Sequence, residues 1–235
     1  MQQGKMEYKK MSSPLIIKPA PLIPRYHKVP VVRATTENFH RFGRFVFDFH
    51  KEQVIITPWP GRKRPVQEPS GCGGGVVVGD FDLHWQGKEL KLDWKIEEAK
   101  ANNYGVRGNY TVGVLAEDLP NTFLVREAGY HPDGGQVTMP TDGRSFIALM
   151  APPGDDLTPE HFVAFFFDGS FGFQMFPGVW HQPPIPLATK QYYFNKQGAI
   201  HACVQVDTVD EFGCWLSIEL QNSQNCETVL DYKLC

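Results

Sequence analysis

The sequence predicts an all-β fold, a sandwich or barrel carrying a few short helices, and three observations predict it. Apolar and polar residues alternate in many short runs, turn signals such as Asp-Gly separate those runs, and 22 glycines and 19 prolines punctuate the chain. No internal repeat with a fixed period is visible. Nothing in the 235 residues resembles a linker between two cores. A flexible tail over 1–20 followed by a single barrel domain over 21–235 is therefore the expected organisation.

The opening "MQQGKMEYKKMSSP" has lysines but no apolar run behind them, so it reads as a tail and not as a secretory signal. "TTENFHRFG" reads as a helix: Thr35 or Thr36 caps it, Phe39 and Phe42 share a face, and Gly43 is expected to supply a left-handed stop. "RFVFDF" then alternates like a strand. "GCGGGVVVGD" (71–80) is rich enough in glycine to suggest a phosphate loop, but it lacks the Gly-Lys-Ser/Thr ending and runs into a strand instead of a helix.

"FDLHWQGKELKLDW" predicts a hairpin turning at Gln86-Gly87, and "KIEEAKANN" (95–103) is a second helix candidate. "YTVGVLAED", "TFLVREAGYH" and "GQVTMPTDGRSFIALMAP" continue the β pattern, the last pivoting at Asp142-Gly143. "EHFVAFFFDGSFGFQMFPG" turns at Asp168-Gly169. "AIHACVQVD" alternates strictly, with Ile200, Ala202, Val204 and Val206 on one face and His201, Cys203, Gln205 and Asp207 on the other.

A net charge of −3 argues against a nucleic-acid partner, and Arg62-Lys63-Arg64 is too short a basic cluster to reverse that. No run approaches the roughly 20 apolar residues that a membrane span needs. The five cysteines (72, 203, 214, 226, 235) are odd in number and form no C-x-x-C pair. They read as reduced thiols of a cytoplasmic protein, with Cys203 and Cys214 expected as small core residues.

Two segments carry the chemistry. "HPDGGQVTMPTDG" places Gln136 five residues after His131 and then runs into a strand. "MFPGVWHQPP" places His181 three residues after Gly178, ahead of prolines that force the chain out of regular structure. Each histidine has a second reading: His181 as a cap on backbone carbonyls at a Pro-rich turn, His131 as a loop residue pinned by Pro132. The two motifs, in this order, resemble the paired motifs of cupins, the double-stranded β-helix barrels. Glu127, His131-Pro132, Gly134 and Gln136, followed by "FFFDGSFGFQMFPGVWHQP", resemble the ureidoglycolate lyase family more specifically, and "ENFHRFG" matches that family's N-terminal helix. The resemblance spans roughly residues 30–215.

That resemblance implies a cupin-type barrel, a homodimer, and cleavage of ureidoglycolate to glyoxylate and urea, a late step in allantoin and purine catabolism. It implies His181 and His131 as catalytic groups, and Gln136, Glu127, Trp180 and Gln205 around a small-molecule substrate. It also implies a weakly bound divalent metal on His131, Gln136 and His181. Departures are visible: Gly129 stands where cupins carry a first histidine, Gln136 replaces the carboxylate, and Gln182 replaces the family's second histidine after Trp-His. Asp142, Val114 and Pro177 replace basic or polar positions. Two alternatives stay open: a cupin enzyme acting on a different small hydroxy or keto acid, and a silent cupin that only binds a small molecule or partner.

Overall fold

The computed structural model describes residues 25–56, 76–99, 110–198 and 203–220. In chain order, the first part contains β1 (Arg25–Lys28), β2 (Val31–Arg33), α1 (Thr36–Phe39), β3 (Gly43–Val46), β4 (Val76–Gln86), β5 (Glu89–Ala99), β6 (Tyr110–Leu115), β7 (Thr122–Val125), β8 (Glu127–Tyr130), β9 (Gln136–Pro140) and β10 (Phe146–Ala151). A 3-10 turn (Pro159–His161) precedes β11 (Val163–Phe167), β12 (Gly172–Met175), β13 (Trp180–His181), β14 (Ile185–Pro186), β15 (Lys190–Gly198), β16 (Val204–Asp207), α2 (Thr208–Phe212) and β17 (Cys214–Glu219). The fold is all-β with short helices, as the alternation and turn signals predict.

Two sheets face each other. One has the order β1-β17-β7-β6-β5-β4-β15-β9-β12-β3, the other β16-β8-β13-β10-β11-β2. Pairing is antiparallel except for β1 with β17 and β2 with β11. The chain passes repeatedly from one sheet to the other, so the strands enclose one interior. Phe81, Phe123, Phe146, Phe167 and Tyr193 are buried there. Phe39 of α1 sits edge-on to Phe165 and Phe167, with ring centroids 5.2 and 5.4 Å away, and anchors the helix to β11.

The turns follow the glycines: Gly87, Gly143 and Gly169 all adopt positive φ, as the three predicted pivots require. Two readings are corrected. The segment from Lys95 to Ala99 is not helical but the end of β5, and 100–103 lie outside the described residues. Ten register pairs along β4, from Gln86–Glu89 to Val77–Ala99, satisfy the backbone as a sheet, and this long pairing overrides the local helix preference. The helix at Thr36 is a single turn whose capping box joins Thr35 and Asn38. Gly43 is not its left-handed stop. It begins β3, where a Cβ would lie 2.1 Å from the Gln174 carbonyl oxygen, so glycine is needed for close approach of two strands.

Cys214 is buried as expected, but Cys203 is exposed. Val206 faces the core while Val204 is 38% exposed, so the expected apolar face of this strand is only half covered. His201, with Ile200 and Ala202, lies outside the described residues, as do Cys72, Cys226, Cys235 and the tail over 1–20. Val76 onward of the glycine-rich segment is β4, a strand with no helix for a phosphate to cap. Among the described residues, no helix is long and apolar enough to cross a membrane.

Candidate active site

β8 and β13 are neighbours in the smaller sheet, with Gly129 opposite His181, and Met150 of β10 flanks His181 on the other side. The chain leaves β8 at Tyr130, and His131 opens the crossing to the larger sheet, where Gln136 starts β9. The three residues therefore come from both walls of the interior. They meet at a cavity of ≈ 980 Å³, which all three line.

The imidazoles of His131 and His181 lie edge to face with centroids 4.9 Å apart. Gly178, at φ 85, donates its backbone N–H to the His131 carbonyl oxygen at 2.7 Å, tying the two motifs together. His181 Nδ1 donates to the Val179 carbonyl oxygen at 2.9 Å, which fixes the tautomer and leaves Nε2 with its lone pair open. His131 is buried, and its Nδ1 has no hydrogen-bond partner among the described residues. Burial lowers the His181 pKa to about 4, the Val179 hydrogen bond opposing the shift. His131 is held well below the ordinary imidazole range by burial first and by the neighbouring His181 second. Both rings are held neutral at pH 7, and the burial that keeps them so also weakens them as proton acceptors.

Gln136 donates Nε2 to Asn195 Oδ1 at 2.9 Å, and Thr138 donates its hydroxyl to the same oxygen at 3.1 Å. The end of Gln136 left for a ligand is its carbonyl oxygen. Glu127 and Gln205 are exposed residues at the cavity rim. Trp180 is not a wall of the cavity. It alternates with His181 on β13, points to the opposite face, donates its indole N–H to the Gly154 carbonyl oxygen at 2.9 Å and packs on Tyr130. Gln182, which replaces a family histidine, donates its amide to the Glu127 backbone carbonyl and fastens the rim.

The missing first cupin histidine has a structural reason. A Cβ at Gly129 would lie 3.1 Å from the Val204 carbonyl oxygen, so a side chain there would require β16 to give by a few tenths of an ångström. For a metal, the cavity offers two neutral imidazoles and one amide oxygen. Among the described residues, no aspartate, glutamate or cysteine joins them as a third close ligand. The set fits a divalent cation only weakly, because two imidazoles and one amide oxygen are fewer and weaker donors than a full three- or four-ligand site, with no carboxylate added. Asp82, His84 and Asp93 do come together on the opposite face of β4 from Phe81. Asp82 already holds Lys190 Nζ at 3.1 Å and His84 Nδ1 at 3.0 Å.

Sequence reasoning missed Thr138, Asn195 and Gln197. The signal was present in "KQYYFNKQG", where Gln191, Tyr193, Asn195 and Gln197 alternate onto one buried face of β15.

A sequence profile described as ureidoglycolate lyase matches residues 88–214, more than half of the chain. The chain belongs to the ureidoglycolate lyase family. A ureidoglycolate lyase from Azotobacter vinelandii is 37% identical over 73 residues, 31% of this chain and 44% of that protein. One from Stutzerimonas stutzeri is 31% identical over 90 residues, 37% of this chain and 53% of that protein. The chain thus spans about half the length of the curated relatives it matches. Among solved structures, a dTDP-6-deoxy-D-glucose-3,5-epimerase from Legionella pneumophila is similar at a TM-score of 0.24 and 10% identity, covering 55% of this chain and 73% of that one, a likeness too slight to bear on the site.

Proposed function

We propose that this protein is a ureidoglycolate lyase, releasing glyoxylate and urea. The observation that carries the reading is the meeting of His131 and His181, from two distant motifs, at one cavity. Ureidoglycolate is a hemiaminal: one carbon carries a hydroxyl, a urea nitrogen and a carboxylate. Elimination takes the hydroxyl proton, makes the carbonyl double bond and breaks the carbon–nitrogen bond, with a proton delivered to the departing nitrogen.

His181 suits the first step, since its Nδ1 is committed to Val179 and its Nε2 is free to accept. The proton it takes returns to the leaving urea nitrogen through the same pair of imidazoles, so none is consumed. His131, 4.9 Å from His181 between ring centroids, is close enough to share that role. A divalent cation held by His131, Gln136 and His181 would polarise the hydroxyl and lower its pKa, but it would take the His181 Nε2 lone pair, so the metal-held form and the free-base form of the site are alternatives. Arg126, on the cavity wall beside Glu127, offers positive charge to the carboxylate at the rim, although Asp207 already accepts from its Nε at 2.7 Å.

Incubation with ureidoglycolate is expected to yield glyoxylate and urea in equal amounts, with no ammonia, because the urea leaves whole. Absence of urea with and without added divalent metal would sink the lyase reading and leave a cupin that acts on, or only binds, another small acid.

A further inference from the structure

The floor of the cavity is built from amides. Gln136 on β9 is the register partner of Gln197 on β15, and Thr138 is the partner of Asn195, so all four side chains share the inward face of two hydrogen-bonded strands. Asn195 accepts from Gln136 and Thr138 through one oxygen, which holds Gln136 with its carbonyl end outward. Gln197 lines the cavity and is 3% exposed, yet its Nε2 has no hydrogen-bond partner among the described residues. Buried amide donors are nearly always partnered, and one left open beside a cavity points to what the cavity takes.

The open groups at this depth are neutral and of both kinds: donors at Gln197 Nε2, Asn195 Nδ2 and Trp94 Nε1, of which Gln197 and Trp94 line the cavity, and an acceptor at Gln136. Arg126 is the only lysine or arginine among the described residues lining the cavity, and it is tied to Asp207. Phe81, Trp94, Phe173, Met150 and Met175 supply flat and apolar walls. A carboxylate would find no cation on this floor. A planar neutral group with one carbonyl oxygen and adjacent N–H groups matches both the polarity and the shape.

We propose that Gln197 and Gln136 form a subsite for a ureido group, Gln197 donating to its carbonyl oxygen and Gln136 accepting from its N–H. The subsite rests on the lyase reading for its position beside the histidines, and it assigns the orientation of the substrate: ureido end on the amide floor, carboxylate toward the rim. Gln197 is then a specificity-determining residue, separating ureido acids from simple hydroxy acids.

Calorimetric titration of the full chain tests this with two probes. N-carbamoylglycine has the ureido group and the carboxylate but no hydroxyl to eliminate; glycolate has the hydroxyl and the carboxylate but no ureido group. Wild-type protein is expected to bind N-carbamoylglycine about tenfold or more tightly than glycolate, and Gln197→Leu to lose that preference while its glycolate affinity stays unchanged. Thermal stability of Gln197→Leu is expected to match or exceed wild type, since a buried amide without a partner is removed; a structural amide would give the opposite result. Should Gln197→Leu fail to fold, Gln197→Glu keeps the shape, replaces the donor by an acceptor, and is expected to lose the same preference.

Equal affinity of wild type for the two probes, binding of neither, or a folded Gln197 variant that keeps the preference would each overturn the subsite. The two readings separate cleanly. Wild type that binds N-carbamoylglycine through Gln197 but releases no urea loses the lyase reading and keeps the subsite. Wild type that releases urea, with a Gln197→Leu variant of unchanged KM, loses the subsite and keeps the lyase.

Discussion

His131 and His181 meet edge to face at 4.9 Å between ring centroids, and the Gly178 N–H donating to the His131 carbonyl oxygen holds the two loops in that relation. Two imidazoles this close, at the boundary of an apolar interior, oppose each other's protonation. The pair is therefore neutral at pH 7, the state that the proposed base role needs.

The pH dependence follows with a definite sign. His181 falls from the ordinary 6.5 to about 4 on folding, and His131 is lowered well below its ordinary value. Turnover is expected to stay level from neutral pH down past 6 and to fall only as the solution approaches the lowered range. Between about 4 and 6.5 the unfolded chain binds more protons at His181 than the folded one does. This contribution to stability is complete above about 6.5 and is lost as pH drops toward 4. A kcat/KM profile with its acid limb at an ordinary imidazole value of about 6.5 would contradict a buried histidine base.

Metal content is the second test. With two neutral imidazoles and an amide as its donors, the cavity is expected to retain a divalent ion in less than one equivalent after purification, and to lose it on dialysis against a chelator. Elemental analysis before and after dialysis measures this. Stoichiometric, chelator-resistant metal would contradict the neutral donor set. If that metal then vanished in Asp82→Asn, it would reside on the outer face of β4, with His84 and Asp93.

Gly43 carries a stability prediction. A Cβ there would lie 2.1 Å from the Gln174 carbonyl oxygen, so β3 and β12 must separate to admit it. Gly43→Ala is expected to cost about 3 kcal/mol in urea denaturation, near the upper end of overpacking penalties. Gly87→Ala is the comparison: its φ of 62 is left-handed, but nothing lies within 4 Å of the added carbon. About 1 kcal/mol is expected there from backbone strain alone. A larger loss at Gly87 than at Gly43 would contradict the close-approach account.

What the sequence made legible was local. Asp142-Gly143, Asp168-Gly169 and Gln86-Gly87 announce turns because positive φ needs glycine, and their strands follow from alternation. The spacing of His131, Gln136 and His181 pointed to one site through a family pattern, and the cavity contains all three. What stayed hidden depends on neighbours distant in the chain. The end of β5 looked helical because its partner on β4 lies across a hairpin more than ten residues long. Gly43 looked like a helix stop because nothing nearby reveals the Gln174 backbone, 131 positions on, against which it packs. Trp180 looked like a pocket wall because it adjoins His181, but adjacent residues on a strand face opposite ways. Gln197 needed knowledge of which face of β15 is inward.

The contrast between His181 and Trp180 gives the last prediction. They are neighbours on β13, and their side chains face opposite ways, His181 lining the cavity and Trp180 bonded to Gly154 away from it. His181 presents an open Nε2 to the cavity, so His181→Ala is expected to lower the rate of urea release by about 10²–10⁴-fold, the usual range for loss of a positioned proton carrier. Its effect belongs on kcat more than on KM if the ureido and carboxylate ends are held, as proposed, at Gln197 and at the rim. Trp180 donates to the Gly154 carbonyl on the far side, so Trp180→Phe removes one hydrogen bond, at a cost of about 1 kcal/mol in stability, with kcat and KM near wild type. Steady-state kinetics with denaturation curves on both variants decide the matter. If His181→Ala turned over normally while Trp180→Phe lost substrate affinity, the tasks would be reversed, and the histidine in "GVWHQP" would be a loop cap bonded to the Val179 carbonyl.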